Sequence, residues 1–107
     1  MLGLKQVHHI AIIATDYAMS KAFYCDILGF TLQSEVYREA RDSWKGDLAL
    51  NGQYVIELFS FPNPPVRATR PEATGLRHLA FSVKNLEQAV AHLRDRKSTR
   101  LNSSHGY

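Results

Sequence analysis

The stretch His9-Ile-Ala-Ile-Ile-Ala-Thr-Asp16 returns later in the chain as His78-Leu-Ala-Phe-Ser-Val-Lys-Asn85. Each copy begins with a histidine, continues as an alternating β-strand and ends at an Asp or Asn that suits a helix N-cap. A strand–cap–helix unit that recurs in this way indicates two copies of one structural module. The repeat matters for function because it places two candidate metal ligands, His9 and His78, in equivalent environments.

The composition is that of one small globular domain, with 107 residues of which 45% are hydrophobic and 21% are charged. The one cysteine, Cys25, excludes an internal disulfide and favours a reducing compartment. The N-terminus lacks the basic region and apolar core of a signal peptide. No stretch approaches the roughly 18 apolar residues of a membrane span. We therefore expect a cytoplasmic protein without a membrane partner.

The formal net charge of +3 does not indicate nucleic-acid binding. No helix face or strand collects the Lys and Arg residues into a stripe, so the electrostatic footprint of a phosphate-binding surface is missing. The expected partner is therefore a small-molecule substrate and not a nucleic acid.

The first 60 residues predict a βαβββ module. Residues 7–14 form an alternating, β-branched strand, Asp16 caps the following helix, and Gly29 ends it. Further strands are predicted over residues 30–37, 47–50 and 54–60, after a polar turn over residues 38–46. Asn51-Gly52 joins the last two strands and favours a type I′ hairpin.

The rest of the chain predicts a linker and the start of a second module. All four prolines lie within residues 61–75. This segment cannot form an interior strand of a sheet, because proline has no backbone N–H to donate. Residues 76–94 then begin the module again, with a strand over residues 77–83 and a helix capped by Asn85.

The pattern stops after Arg94, because residues 95–107 show no apolar period. They resemble the translation of a sequencing-library adaptor, and we predict a non-native disordered tail there. The alternative is a natural disordered C-terminus. The second module is thus expected to be truncated after its helix.

Side-chain alternation selects three candidate metal ligands. His9 shares a strand face with Ala11, and His78 lies on the small, polar face of its own strand. Glu57 interrupts an apolar run, where burying a carboxylate without a partner is costly, and a cation held between His9, Glu57 and His78 would provide one. Two imidazoles and a carboxylate suit a divalent first-row metal, whereas calcium and magnesium prefer oxygen ligands.

The candidate histidine ligands can also be interpreted as structural residues. A strand histidine is more often a half-buried structural residue than a ligand, and His8 would replace His9 if the register slipped by one residue. We prefer His9 because it aligns with His78.

These residues resemble the vicinal-oxygen-chelate superfamily, which includes glyoxalase I, extradiol dioxygenases and bleomycin-resistance proteins. Phe-Tyr followed by Leu-Gly-Phe is typical of its first module. The resemblance rests on four runs, which are residues 7–12, 22–30, 55–58 and 76–83. It implies an α+β fold in which paired βαβββ modules form an open mixed-sheet barrel around a metal.

The resemblance also implies the roles of the site residues. His9, Glu57 and His78 correspond to metal ligands, and Glu57 is the catalytic residue because a carboxylate at the metal moves the proton. A fourth family ligand, a glutamate on the last strand of the second module, has no counterpart in this sequence. Members of the family often pair, so the resemblance is consistent with a homodimer.

Three functional hypotheses follow from the resemblance. The first is a metal-dependent glyoxalase I-like lyase or isomerase that forms an enediolate from a small α-oxygenated, for example thiol-conjugated, substrate. Its cofactor would be one divalent ion of Ni, Co, Zn, Mn or Fe. The second is a metal-free binding protein of the bleomycin-resistance type. The third is an inactive fragment.

Overall fold

The computed structural model describes residues 1–99. The chain divides into two compact units after Pro64, inside the stretch that the prolines predict to be a linker. Within residues 1–99, the first unit contains a helical segment over residues 17–27, a short 3₁₀ helix and four strands, and the second contains one helix. No helix within residues 1–99 is long and apolar enough to cross a bilayer.

The helical segment of the first unit begins and ends where its capping signals predict. Helix α1 (Tyr17–Ala22) starts after Asp16, whose Oδ1 accepts a hydrogen bond of 3.0 Å from the backbone N–H of Met19. It continues as one π-helical turn over Phe23–Ile27. Gly29, with φ of +86°, ends the segment because an L side chain rarely adopts that conformation.

Four strands form one open mixed sheet. They are β1 (Ile10–Ile13), β2 (Thr31–Arg38), β3 (Ser43–Leu50) and β4 (Gln53–Phe59), in the spatial order β1-β4-β3-β2. β1 runs parallel to β4, and the other pairs are antiparallel. Asn51 and Gly52 both have positive φ, +51° and +80°, as a type I′ turn requires. The predicted α+β class and the βαβββ order of the first module are confirmed.

β3 begins four residues earlier than the sequence predicts. The turn predicted over residues 38–46 is confined to a short 3₁₀ helix, Glu39–Arg41, and to Asp42 in the left-handed region. Ser43, Trp44, Lys45 and Gly46 instead pair with β2. The prediction was wrong because polar composition suggested a turn, whereas the strand pairs with a neighbour that composition does not reveal.

The hydrophobic core lies between α1 and one face of the sheet. Leu48, Ile56 and Leu58 on the central strands are 0% exposed, and α1 contacts β4. We call the opposite side of the sheet the open face. Its members are Ala11 and Ile13 on β1, Ser34, Val36 and Arg38 on β2, Ser43, Lys45 and Asp47 on β3, and Glu57 and Phe59 on β4.

The second unit differs from its prediction in two ways. Helix α2 (Leu86–Thr99) is capped by Asn85, whose Oδ1 accepts the Gln88 N–H at 2.9 Å, but it continues beyond the end predicted at Arg94. The remainder of the predicted tail lies outside the described residues. Residues 77–83 are not part of a strand. In the first module β1 is held by β4, and no equivalent of β4 follows within the described part of the second unit.

Replacing Gly46 by alanine is expected to destabilise the first unit by about 1–3 kcal/mol. A Cβ at this position would lie 2.5 Å from the Tyr17 hydroxyl oxygen. That hydroxyl cannot move freely because it donates a hydrogen bond of 2.7 Å to Glu35. Urea unfolding measures the loss, and the same substitution in a Tyr17→Phe background should cost much less. An equal cost in both backgrounds would show that the hydroxyl is not the obstacle.

Candidate metal and substrate site

The structure brings His9 and Glu57 together on the open face. Glu57 lies opposite Ala11 in the parallel pairing of β1 and β4, and His9 precedes Ala11 by two residues on the same face. His9 Nε2 lies 3.8 Å from Glu57 Oε1, and the two side chains are 36% and 19% exposed. Two atoms that each lie about 2.1 Å from one first-row metal are roughly 3–4 Å apart. The 3.8 Å between His9 Nε2 and Glu57 Oε1 therefore suits one ion bound by this nitrogen and this oxygen.

His78, the third predicted ligand, lies in the second unit and is exposed. Within residues 1–99, no group of three or more His, Cys, Asp or Glu side chains comes together as a metal site. The pair of His9 and Glu57 is thus the part of the predicted ligand set that the structure assembles, and the role of His78 stays a prediction.

Glu57 already has a cationic partner in the protein. Lys45 Nζ lies 3.4 Å from Glu57 Oε2 and 3.1 Å from Asp47 Oδ1. Asp47 stands directly opposite Glu57 in the antiparallel pairing of β3 and β4. Two carboxylates in that position repel each other, and the ammonium group between them offsets the repulsion. The argument that Glu57 needs a metal as its partner is therefore wrong.

The directions in which the pKa values of Lys45 and Asp47 shift agree with this ion pair. The hydrogen bond with Asp47 raises the pKa of Lys45 above its ordinary value, although burial opposes the shift. Burial alone would raise the pKa of Asp47, but hydrogen bonds from Ser34 and Lys45 outweigh it and lower the pKa. The Ser34 hydroxyl donates to Asp47 Oδ2 at 2.6 Å. Both members of the Lys45–Asp47 pair are thus held in their charged forms.

Tyr54 lies beside His9 at this site because the alternation of β4 is interrupted. Strict alternation along β4 puts Tyr54 on the side of Ile56 and Leu58. A β-bulge changes the pairing so that Ile56 faces Leu48 but Tyr54 faces Ala49, which brings Tyr54 to the open face. Its ring stacks on His9 with centres 4.7 Å apart. Burial and the neighbouring Asp47 carboxylate raise the pKa of Tyr54, so the phenol stays neutral.

His8 contacts the predicted ligand without replacing it. The Nδ1 atoms of His8 and His9 lie 2.8 Å apart, so one nitrogen donates and the other accepts. This contact occupies the Nδ1 side of His9 and leaves Nε2 directed at Glu57. A second partner of this kind fixes the tautomer and orientation of a ligating histidine.

Lys45, Asp47 and Tyr54 were not found by sequence reasoning. A signal for the first two was present, because Ser43, Lys45 and Asp47 alternate with Trp44, Gly46 and Leu48 in the pattern of a half-buried strand. No comparable signal reveals the bulge that turns Tyr54.

The βαβββ module with its open sheet face and the sequence that forms it identify the class of protein. The family model of the Glyoxalase/Bleomycin resistance protein/Dioxygenase superfamily matches residues 6–101. The chain belongs to this superfamily, as its βαβββ module and sequence pattern predict.

Individual relatives support the same assignment. The chain is 88% identical over 93 residues to the uncharacterized protein YaeR of Escherichia coli (strain K12), covering 87% of this chain and 72% of that protein. It is 63% identical over 93 residues to the uncharacterized protein YwkD of Bacillus subtilis (strain 168), covering 87% and 73%. The crystal structure of the glyoxalase family protein from Enterococcus faecalis matches with 41% identity and a TM-score of 0.78, covering 86% of this chain and 72% of that one.

Proposed function

We propose that this protein is a metal-dependent lyase or isomerase of the glyoxalase I type, acting on a small α-oxygenated carbonyl substrate. The observation that carries the proposal is the 3.8 Å approach of the His9 imidazole to the Glu57 carboxylate on the open face. Membership of the superfamily supports it.

His9 and Glu57 would hold the ion, with His78 as the third ligand. Their nitrogen and oxygen donors suit Ni, Co, Zn, Mn or Fe in the divalent state. When bound, such an ion supplies positive charge that stabilises negative charge developing on a substrate oxygen.

Glu57 is the residue that moves the proton. Its Oε1 points at His9, whereas its Oε2 lies on the Lys45 side, so one carboxylate presents two oxygens in different surroundings. Oε2 would take the proton from the carbon beside the carbonyl and return it to the neighbouring carbon. The stacking of His9 on Tyr54 fixes the orientation of the imidazole beside Glu57.

A metal-free binding protein is the second candidate function. It is favoured by Lys45, whose ammonium group already pairs with both Glu57 and Asp47 without any metal ion. In this alternative the open face binds its ligand by shape and charge, and Glu57 is part of an ion-pair network.

Metal titration distinguishes the two candidates. We expect the apo chain, titrated separately with Ni²⁺, Co²⁺, Zn²⁺, Mn²⁺ and Fe²⁺ in a calorimeter, to bind at least one of them with a stoichiometry near one ion per chain. His78→Ala is expected to weaken binding at least about tenfold, since even residues that only orient a ligand cost roughly 10–100-fold. His92→Ala, on helix α2, is the matched control and should bind like the unaltered chain. If all five ions fail to bind stoichiometrically, the metal-free function replaces the enzymatic one.

A further inference from the structure

An arginine–phenylalanine cluster lies on the open face, towards the end of β4 away from His9. Its members are Arg38, Arg41, Phe59 and Phe61. The Cζ atom of Arg38 lies 5.0 Å from the ring centre of Phe59 and 5.7 Å from that of Phe61. The Cζ atom of Arg41 lies 5.1 Å from the Phe61 ring centre. The rings thus hold both guanidinium groups in place by cation–π contacts.

Within residues 1–99, no carboxylate neutralises the positive charge of this cluster. Among the residues that the structure describes, neither Arg38 nor Arg41 forms an ion pair with a carboxylate. Arg38 Nη2 donates to Ser43 Oγ at 2.9 Å. Its Nε is buried and has no hydrogen-bond partner in that part of the chain. A charged group with an unpaired buried donor is incompletely compensated by the protein, so an anion bound to the outer nitrogens of the Arg38 guanidinium would stabilise it.

The cluster is adjacent to the proposed catalytic residue. Glu57 and Phe59 are neighbours on the same face of β4, and residues two apart on a strand are separated by about 7 Å. Phe59 lies directly beneath Arg38. A single small molecule could therefore contact Glu57 at one end and the Arg38 guanidinium at the other.

We propose that Arg38 binds a carboxylate at the far end of the substrate, so that the substrate class is a small α-oxygenated carboxylic acid. This inference rests on the proposed function and specifies its substrate. A carboxylate fits because it is planar and matches the geometry of guanidinium donors, and the ring contacts keep Arg38 in place. Arg41 adds a second positive charge beside the same anion.

The experiment uses 3-phenylpropanoate as the probe and its uncharged analogue 3-phenylpropanamide as the matched ligand. Binding is measured by NMR titration of the chain after its metal has been stripped with EDTA and the EDTA removed by dialysis, which makes the result independent of any metal. We expect the acid to bind at least about tenfold more tightly than the amide, because a charge-assisted hydrogen bond is worth that much or more. The Nε–H resonance of Arg38 should shift with the acid.

Substitutions of single arginines test whether Arg38 is the residue that binds the carboxylate. Arg38→Gln should reduce the affinity for the acid to that for the amide, and Arg38→Lys should recover only part of it. Arg94→Gln, an exposed position on α2, should leave the affinity unchanged. Equal binding of acid and amide by the unaltered chain, or tight acid binding by folded Arg38→Gln, would overturn the proposal. If Arg38→Gln does not fold, the comparison of acid with amide and the Arg38 resonance still decide. Carboxylate binding without metal binding would refute the enzymatic function and leave the Arg38 site standing.

Discussion

Glu57→Gln is expected to lower kcat by about 10²–10⁴-fold, the usual contribution of a positioned general base, when the hemithioacetal of methylglyoxal and glutathione is used as a thiol-conjugated α-oxygenated test substrate. Glutamine keeps the shape and one oxygen acceptor of glutamate but cannot accept a proton at neutral pH. The loss is expected mainly in kcat, because the substituted side chain still fills the space between His9 and Lys45. Turnover by the metal-loaded chain is followed by NMR in D₂O, where the product of the unaltered protein should acquire solvent deuterium.

Glu35→Gln is the matched control for this experiment. Glu35 is also a strand carboxylate paired with a lysine, since its Oε2 lies 2.8 Å from Lys21 Nζ, but it faces α1 instead of the open face. The hydrogen bonds from Lys21 and Tyr17 lower the pKa of Glu35, so its loss should reduce stability while kcat is retained. If Glu57→Gln keeps its rate, or if both variants lose activity equally, Glu57 is not the base.

The features that the sequence predicted correctly depend on local chemistry. Asp16 and Asn85 are caps because a short polar side chain can reach the backbone N–H three residues on. Gly29 and Asn51-Gly52 terminate elements because they tolerate positive φ. Each of these signals lies within a few residues of the feature that it determines, so no knowledge of the sheet is needed.

The features that sequence reasoning missed depend on pairing between distant residues. The early start of β3 at Ser43 follows from its partner Arg38 on β2, and the orientation of Tyr54 follows from a bulge relative to Leu48 and Ala49. Both members of the metal pair were accessible, because alternation assigns His9 and Glu57 each to one face of its strand. Lys45 was missed although its alternation with Trp44 and Gly46 is visible in the sequence, because the polar composition of residues 38–46 suggested a turn.

Leu58→Ala is expected to destabilise the first unit by about 2–5 kcal/mol, the range for truncating a fully buried leucine. Leu58 is 0% exposed and packs on the core side of β4, next to Glu57 in sequence but on the other side of the sheet. Chemical denaturation followed by tryptophan fluorescence reports this loss, because the one tryptophan, Trp44, belongs to the same sheet. The matched control is Leu4→Ala: Leu4 is 88% exposed, so the same chemical change should alter stability by less than about 0.5 kcal/mol.

The same two variants also test whether the hydrophobic core and the metal pair contribute independently to stability. An ion that binds only the folded protein stabilises it by an amount set by its concentration and Kd. Because Leu58 and the pair of His9 and Glu57 lie on opposite faces, an ion should raise the stability of Leu58→Ala by the same increment as that of Leu4→Ala. A smaller increment in Leu58→Ala would mean that the core of the sheet determines the geometry of the metal pair, and that the two faces cannot be treated as independent.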